Sequence, residues 1–170
     1  MSLVIFSHGR CLSYDVGHDH PEAASRIHAV QDQLLSSGLE FVVQQRDASP
    51  ATREQLCLAH CPAYVDHVFD AVPDTGHIWL DDDTQANAKS LNAALYSAGS
   101  GINAVDAVMQ QQDTQAFCLI RPPGHHAEYK AAKGFCMFNN IAIAAAYAMQ
   151  QYQLQRVLIV DFDVHHGNGT

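Results

Sequence analysis

Residues 116–170 read AFCLIRPPGHHAEYKAAKGFCMFNNIAIAAAYAMQQYQLQRVLIVDFDVHHGNGT, and their rhythm decides the fold class. Residues 116–120 are an apolar run of strand length, followed by the loop RPPGHHAEYKAAKG. Residues 137–152 are alanine-rich and long enough for a helix, and residues 156–162, around Val157-Leu158-Ile159-Val160, read as a second strand. Strand, loop, helix and strand make a βαβ unit, which is nearly always a right-handed crossover between parallel strands. Ligands of such sheets bind beyond the carboxyl ends of the strands. Each strand here releases a histidine-rich loop at that end, residues 121–126 and 161–168, so the two loops are expected to share one cleft.

The upstream sequence extends this pattern. Residues 3–6 read as a short buried strand. Pro21 stands where a first helical position is expected, and Ala23, Ile27, Val30 and Leu34 follow with helical spacing towards Gly38. Residues 40–44, around Phe41-Val42-Val43, are a further strand candidate. Ser49-Pro50 opens a helix carrying Leu56 and Ala59, Pro62 opens another, and residues 73–83 read as loop. From Thr84, apolar residues at steps of three and four (Ala88, Leu91, Leu95, Ala98, Ile102, Val105, Met109) predict a long helix, with Ala98, Gly99 and Gly101 suited to close packing on a sheet. The expectation is one α/β domain over residues 1–170, with helices on a central, mainly parallel sheet.

Composition bounds the function. A chain of 170 residues with 48% hydrophobic content can bury a real core, alone or as part of a larger domain. A net charge of −9 argues against binding nucleic acid through its phosphates and slightly favours cationic substrates. Five cysteines without a CxxC pair point to a reduced, cytoplasmic setting; Cys57 and Cys61 are expected to share a helix. No signal peptide and no membrane span is indicated.

The chemistry lies in the two loops. In an extended segment Asp163 and His165 point to one side and can bind one cation together. Their mixed oxygen and nitrogen donors suit Zn²⁺ best, with Fe²⁺ or Co²⁺ as alternatives. Asp161 can face the same way and orient a histidine, and Asn168 can fix an imidazole tautomer. His125 and His126 follow Pro-Pro-Gly, an irregular turn from which both can enter one pocket, one as general base and acid. Phe135 is placed to line a substrate channel. Taken singly, each feature is also ordinary: a capped strand end, two surface histidines, an Asn-Gly turn. The other histidines (His8, His18, His20, His28, His60, His67, His77) read as structural or solvated, with His20 a possible exception beside Pro21.

RPPGHHA, GFCMFNN and VDFDVHHGNGT, in that order, resemble the histone deacetylase and acetylpolyamine amidohydrolase family, and the resemblance continues upstream through HPEAASRI and LDDDT. It implies an arginase/deacetylase-like three-layer fold, of which residues 1–170 are the amino-terminal part, and zinc-dependent hydrolysis of acetyl-amides. By motif, Asp163 and His165 resemble two of three zinc ligands. His125 and His126 resemble the paired histidines, with His126 as general base and acid and Asp161 behind His125. Asn168 matches the partner of His126, where an asparagine stabilises an imidazolium less than an aspartate does. Gly134 and Phe135 resemble the wall of the acyl-lysine tunnel, and Arg26 an arginine of the inner cavity. A K⁺ site would use Asp161, Asp163 and His165.

The family's third zinc ligand and its oxyanion-stabilising tyrosine have no counterpart in the 170 residues, and the Asp81-Asp82-Asp83 cluster is not expected to substitute. The chain is therefore expected to be catalytically incomplete, with a missing carboxy-terminal segment or another chain as partner. Two rival readings are an arginase-like dimetal ureohydrolase, for which Gly167 cannot supply a bridging carboxylate, and a non-catalytic fragment that binds acetylated ligands.

Overall fold

A computed structural model describes residues 2–17 and 20–170. His18, grouped above with the structural histidines, lies outside the described residues. Three parallel strands form the sheet in the order β2-β1-β5, with β1 at Leu3–Ser7, β2 at Gln44–Asp47 and β5 at Gln115–Cys118. Alternation along β1 separates two faces. Ile5 packs with Leu119 and with Ile27, Val30 and Leu34 of helix α1 (Ser25–Ser36), while Val4 and Phe6 meet Ala104 and Ala107 of helix α4 (Ala88–Met109). Helix, sheet and helix are thus stacked in three layers. The main core lies beyond α4, where Leu56, Val68, Phe138 and Ile143 are buried. It is built from α4, α2 (Arg53–Leu56), α3 (Pro62–Ala71) and α5 (Asn140–Tyr152). Each such side chain contributes about 1.5–3 kcal/mol by leaving water.

Helix starts follow local chemistry. Asn87 caps α4 and Thr52 caps α2, each in a reciprocal capping box, and Asn139 caps α5 by accepting the Ala142 N–H at 3.0 Å. Pro62 occupies the first turn of α3.

Several expectations need correction. Helix α1 begins at Ser25 and not at Pro21, because Glu22 is buried as an ion-pair partner before the helix starts. The apolar run at 41–43 is not the strand: residues Leu39–Phe41 form a 3₁₀ turn after Gly38, and Phe41 is 82% exposed. Pairing with β1 sets the strand at Gln44–Asp47, with Val4 opposite Gln44. Cys57 ends α2 and Cys61 precedes α3, so they share no helix, and all five cysteines are free. Residues 73–83 are not all loop, since β3 (Ile78–Asp81) and β4 (Thr84–Ala86) pair antiparallel. Gly99 and Gly101 make their close contacts away from the sheet. A Cβ on Gly99 would overlap the backbone of Ser49 and Ala51, and Gly101 faces Ala144 of α5.

The largest correction concerns residues 156–162. They form no strand and have no ladder partner among the described residues, and Leu158 and Phe162 are 86% and 95% exposed. The crossover is therefore not closed on β5. The loop that follows is instead tied to the 121–139 loop by hydrogen bonds.

His60 anchors that second loop from below. Its Nδ1 lies 3.0 Å from the Glu128 carbonyl, so it donates there, and its Nε2 accepts the Asn139 N–H at 2.8 Å. Both ends of residues 128–139 are thereby held on one buried, neutral ring. Burial pushes the His60 pKa below the ordinary 6.5, although the Glu128 carbonyl opposes the shift. The unfolded chain takes up this proton at higher pH than the folded one, so the stabilisation is present above 6.5 and is lost as pH falls towards the folded value. Thermal unfolding between pH 7.5 and 5.5 is expected to show a smaller drop in Tm for His60→Gln than for the unsubstituted chain. At neutral pH the substitution costs about 1–3 kcal/mol, the penalty for a buried polar group left without its partner. Parallel Tm curves would remove His60 from this role.

Candidate active site

Beyond β5 the chain enters Arg121-Pro122-Pro123-Gly124-His125-His126, and the placement of this turn begins with Arg121. The guanidinium is 1% exposed and is paired on every side. Its Nε and Nη2 donate to the Glu22 carboxylate at 2.9 and 2.8 Å, Nη2 also to the Glu22 carbonyl, and Nη1 to the carbonyls of Cys11 and Tyr14. The Tyr14 ring stacks on it at 3.8 Å. Burial pushes the Glu22 carboxyl up, but the hydrogen bonds from Arg121, Tyr14 and Arg26 outweigh burial and hold it below the ordinary value. One residue further, the Pro122 carbonyl accepts from Ser97 Oγ at 2.8 Å and Asn140 Nδ2 at 3.2 Å. The turn that presents the histidines is thus fixed to the N-terminal segment, to α4 and to α5.

The two imidazoles lie side by side, with ring centroids 4.1 Å apart. His125 Nδ1 is 2.8 Å from Asp161 Oδ2, and His126 Nδ1 is 2.7 Å from Asn168 Oδ1. Asn168 Nδ2 donates to Glu128 Oε1 at 2.9 Å, which turns the amide oxygen towards His126. That oxygen can only accept, so His126 carries its proton on Nδ1 and keeps a lone pair on Nε2. The backbone adds a further tie, the Gly169 N–H to the His125 carbonyl at 2.9 Å, and Asn139 Nδ2 donates to Thr170 Oγ1 at 3.1 Å. The two loops therefore meet as expected, through side chains and not through sheet pairing.

Asp161, Asp163 and His165 are aligned by turns and not by strand alternation. Asp161 Oδ1 accepts the Asp163 N–H at 3.1 Å, and Asp163 Oδ1 accepts the His165 N–H at 2.8 Å. The hydrogen bond from His125, then the Asp163 N–H, lowers the Asp161 pKa, and the His165 N–H lowers that of Asp163, so both remain carboxylates. Asp163 Oδ1 and His165 Nδ1 are 3.2 Å apart. A tetrahedral zinc ion with bonds of about 2.05 Å has ligands about 3.3 Å apart, so this pair fits one edge of its coordination shell. Among the described residues no group of three His, Cys, Asp or Glu side chains could hold a metal ion, so the pair stands without a third ligand.

A cavity of about 390 Å³ gathers most of the expected residues: His125, His126, Gly134, Phe135, Asp163, His165 and Arg26 line it, with Asp161 and Asn168 behind the histidines. Gly134 has a φ of 55°, and a Cβ there would strike the His126 ring, so only glycine fits between wall and base. The wall is braced by the β3–β4 turn: Asp83 Oδ1 accepts the Gly134 N–H at 3.0 Å, and Thr84 Oγ1 the Phe135 N–H at 3.2 Å. Asp83 also lines the cavity, but as this brace. His20 packs edge-on against Phe135 at 4.6 Å. The residues that sequence reasoning missed are Glu22, Asp83, Arg121, Glu128 and Asn139. Glu22 and Arg121 carried a weak signal, as charged residues directly flanking prolines in the segments of resemblance.

Comparisons with known proteins bear on the family and the fold. The model of the histone deacetylase domain matches residues 20–170. The chain is 38% identical to histone deacetylase 10, chloroplastic, of Oryza sativa subsp. japonica, covering 94% of this chain and 40% of that protein. It is 41% identical to a histone deacetylase-like amidohydrolase of Pseudomonas aeruginosa, covering 91% and 40%, and 39% identical to the human polyamine deacetylase HDAC10, covering 87% and 23%. The crystal structure of the HDA15 HD domain superposes with a TM-score of 0.90 at 35% identity, over 99% of this chain and 48% of that one. The chain thus spans less than half the length of these relatives. With a domain match over residues 20–170 and that superposition, the chain belongs to the histone deacetylase family and has its α/β fold.

Proposed function

We propose that this chain provides the base and two of the metal ligands of a zinc-dependent hydrolase that removes acetyl groups from amines. The observation that carries the reading is the pair of tautomer-fixed histidines, each backed by its own acceptor, opening on the same cavity as Asp163 and His165. Zinc bound to Asp163 and His165 would polarise the acetyl carbonyl and acidify the water that attacks it. His126 is the base: its Nε2 lone pair takes the proton from the water and returns it to the departing amine. Asn168, oriented by Glu128, keeps the Nδ1 proton in place through this cycle. His125, held by Asp161, donates from Nε2 when protonated and steadies negative charge on the substrate oxygen. Gly134 and Phe135 shape an apolar wall for the acyl chain.

The third zinc ligand and the main oxyanion donor are assigned to residues outside these 170. In support, His165 is 75% exposed on its side chain, and Leu158, Val160, Phe162 and Val164 face solvent where an apolar covering would stabilise them. The substrate class is an acetylated amine: acetyl-lysine in proteins, an acetylpolyamine or a small acetylated amine. The names of the relatives support this range, and the net charge of −9 favours the cationic members slightly. Among the described residues no helix is long and apolar enough to cross a membrane. A cytoplasmic setting belongs to the proposal and rests on the free cysteines.

In a protein carrying the whole domain, His126→Ala is expected to lower kcat by about 10²- to 10⁴-fold with one zinc still bound. Asn168→Leu is expected to lower it by about 10- to 100-fold, as loss of an orienting partner does. Steady-state kinetics with metal analysis checks both, and an unchanged kcat in His126→Ala would refute the base assignment. The 170 residues alone, assayed with zinc, are expected to hydrolyse acetyl-lysine peptides at a small fraction of the rate of a complete family domain. Turnover at a full rate would show that no further ligand is required.

A further inference from the structure

Glu22 is almost fully buried at the edge of the cavity beside Arg26, and it joins the cavity's two walls. One oxygen, Oε1, accepts from Arg26 Nη2 at 2.9 Å and from Arg121 Nε at 2.9 Å. The other, Oε2, accepts from Arg121 Nη2 at 2.8 Å and from the Tyr14 hydroxyl at 2.6 Å. Arg121 is buried and carries the turn that ends in His125 and His126, whereas Arg26 is half-exposed and lines the cavity. Two guanidinium groups therefore share a single carboxylate. Neither arginine can move without changing the geometry of the carboxylate that the other depends on, and a buried guanidinium leaves little slack.

We infer that Glu22 is a positioning residue for the hydrolytic site, setting the spacing between the histidine turn, through Arg121, and the Arg26 wall of the cavity. The inference builds on the proposed hydrolase reading for its effect on turnover, but its structural claim concerns the chain alone. Arg26 contributes the adjustable part, because it keeps solvent on one side while its Nη2 is tied to Glu22. Tyr14 sets the second oxygen and limits rotation of the carboxylate. Removing the negative charge with the shape retained, as in Glu22→Gln, should release Arg26 and loosen the turn without emptying the core.

Two measurements test this. The first is the set of backbone amide resonances of Gly124, His125 and His126 in the 170-residue chain, without metal or substrate. Glu22→Gln is expected to shift all three, and Tyr14→Phe to shift them in the same direction by less, whereas the core truncation Val68→Ala leaves them in place. If Glu22→Gln does not fold, Tyr14→Phe carries this arm. The second is kinetic, in the protein carrying the whole domain: Glu22→Gln lowers kcat by about 10- to 100-fold with KM within about twofold. In an Arg26→Met background the same substitution has a clearly smaller effect. Unshifted turn resonances would overturn the inference, and so would fully additive effects of the two substitutions. If the turn resonances shift but no variant or parent turns over an acetylated amine, the hydrolase reading fails and the positioning claim stands.

Discussion

A guanidinium removed from water must find acceptors for its donors, and at the carboxyl end of β5 this requirement organises the rest of the molecule. Arg121 is satisfied only if the Glu22 carboxylate and the carbonyls of Cys11, Tyr14 and Glu22 gather around it. These acceptors come from a segment about a hundred residues earlier in the chain, so one side chain sets where the N-terminal loop lies. Breaking such a buried pair by removing one partner typically costs about 3–5 kcal/mol. The same arrangement fixes the direction in which Pro122, Pro123 and Gly124 leave the strand, and hence where His125 and His126 stand. The fold of the N-terminal segment and the placement of the histidine turn thus draw on the same contact.

The site itself is a set of oriented acceptors. A carboxylate behind His125 and an amide oxygen behind His126 give the two rings different surroundings although they are adjacent in sequence. An asparagine supplies orientation without charge, which suits the proton-transfer role proposed for His126. Glu128 orients the asparagine, and His60 holds the Glu128 carbonyl from the core side. The contacts thus run from buried His60 to His126 through Glu128 and Asn168. Such chains are costly to interrupt, because each member leaves its neighbour unsatisfied.

Much of this was legible in the sequence, and the parts that were not share a cause. Short-range patterns carried through well. The stripe on α4, the strand at Leu3–Ser7, and the i, i+2 relation of Asp163 to His165 all appear in the structure, the last by way of turns. Pairing was harder to read. Phe41-Val42-Val43 looks more like a strand than Gln44–Asp47, but strand position is decided by the partner, and β1 selects the polar segment. Residues 156–162 have the composition of a buried parallel strand and find no ladder partner among the described residues. Long-range polar contacts left almost no local trace. Glu22 with Arg121, and Asp83 with Gly134, are separated by 99 and 51 residues, and no periodicity links them.

The central claim is that the DFDVHHGN loop and the RPPGHH turn form one metal-assisted hydrolytic centre. Its most direct test is anomalous diffraction at the zinc edge from crystals, grown with zinc, of a protein carrying the whole domain. A single ion is expected, bonded to Asp163 and to His165 Nδ1 and facing the His125–His126 side of the cavity. An ion bound elsewhere, or a pair of ions bridged by these carboxylates, would contradict it.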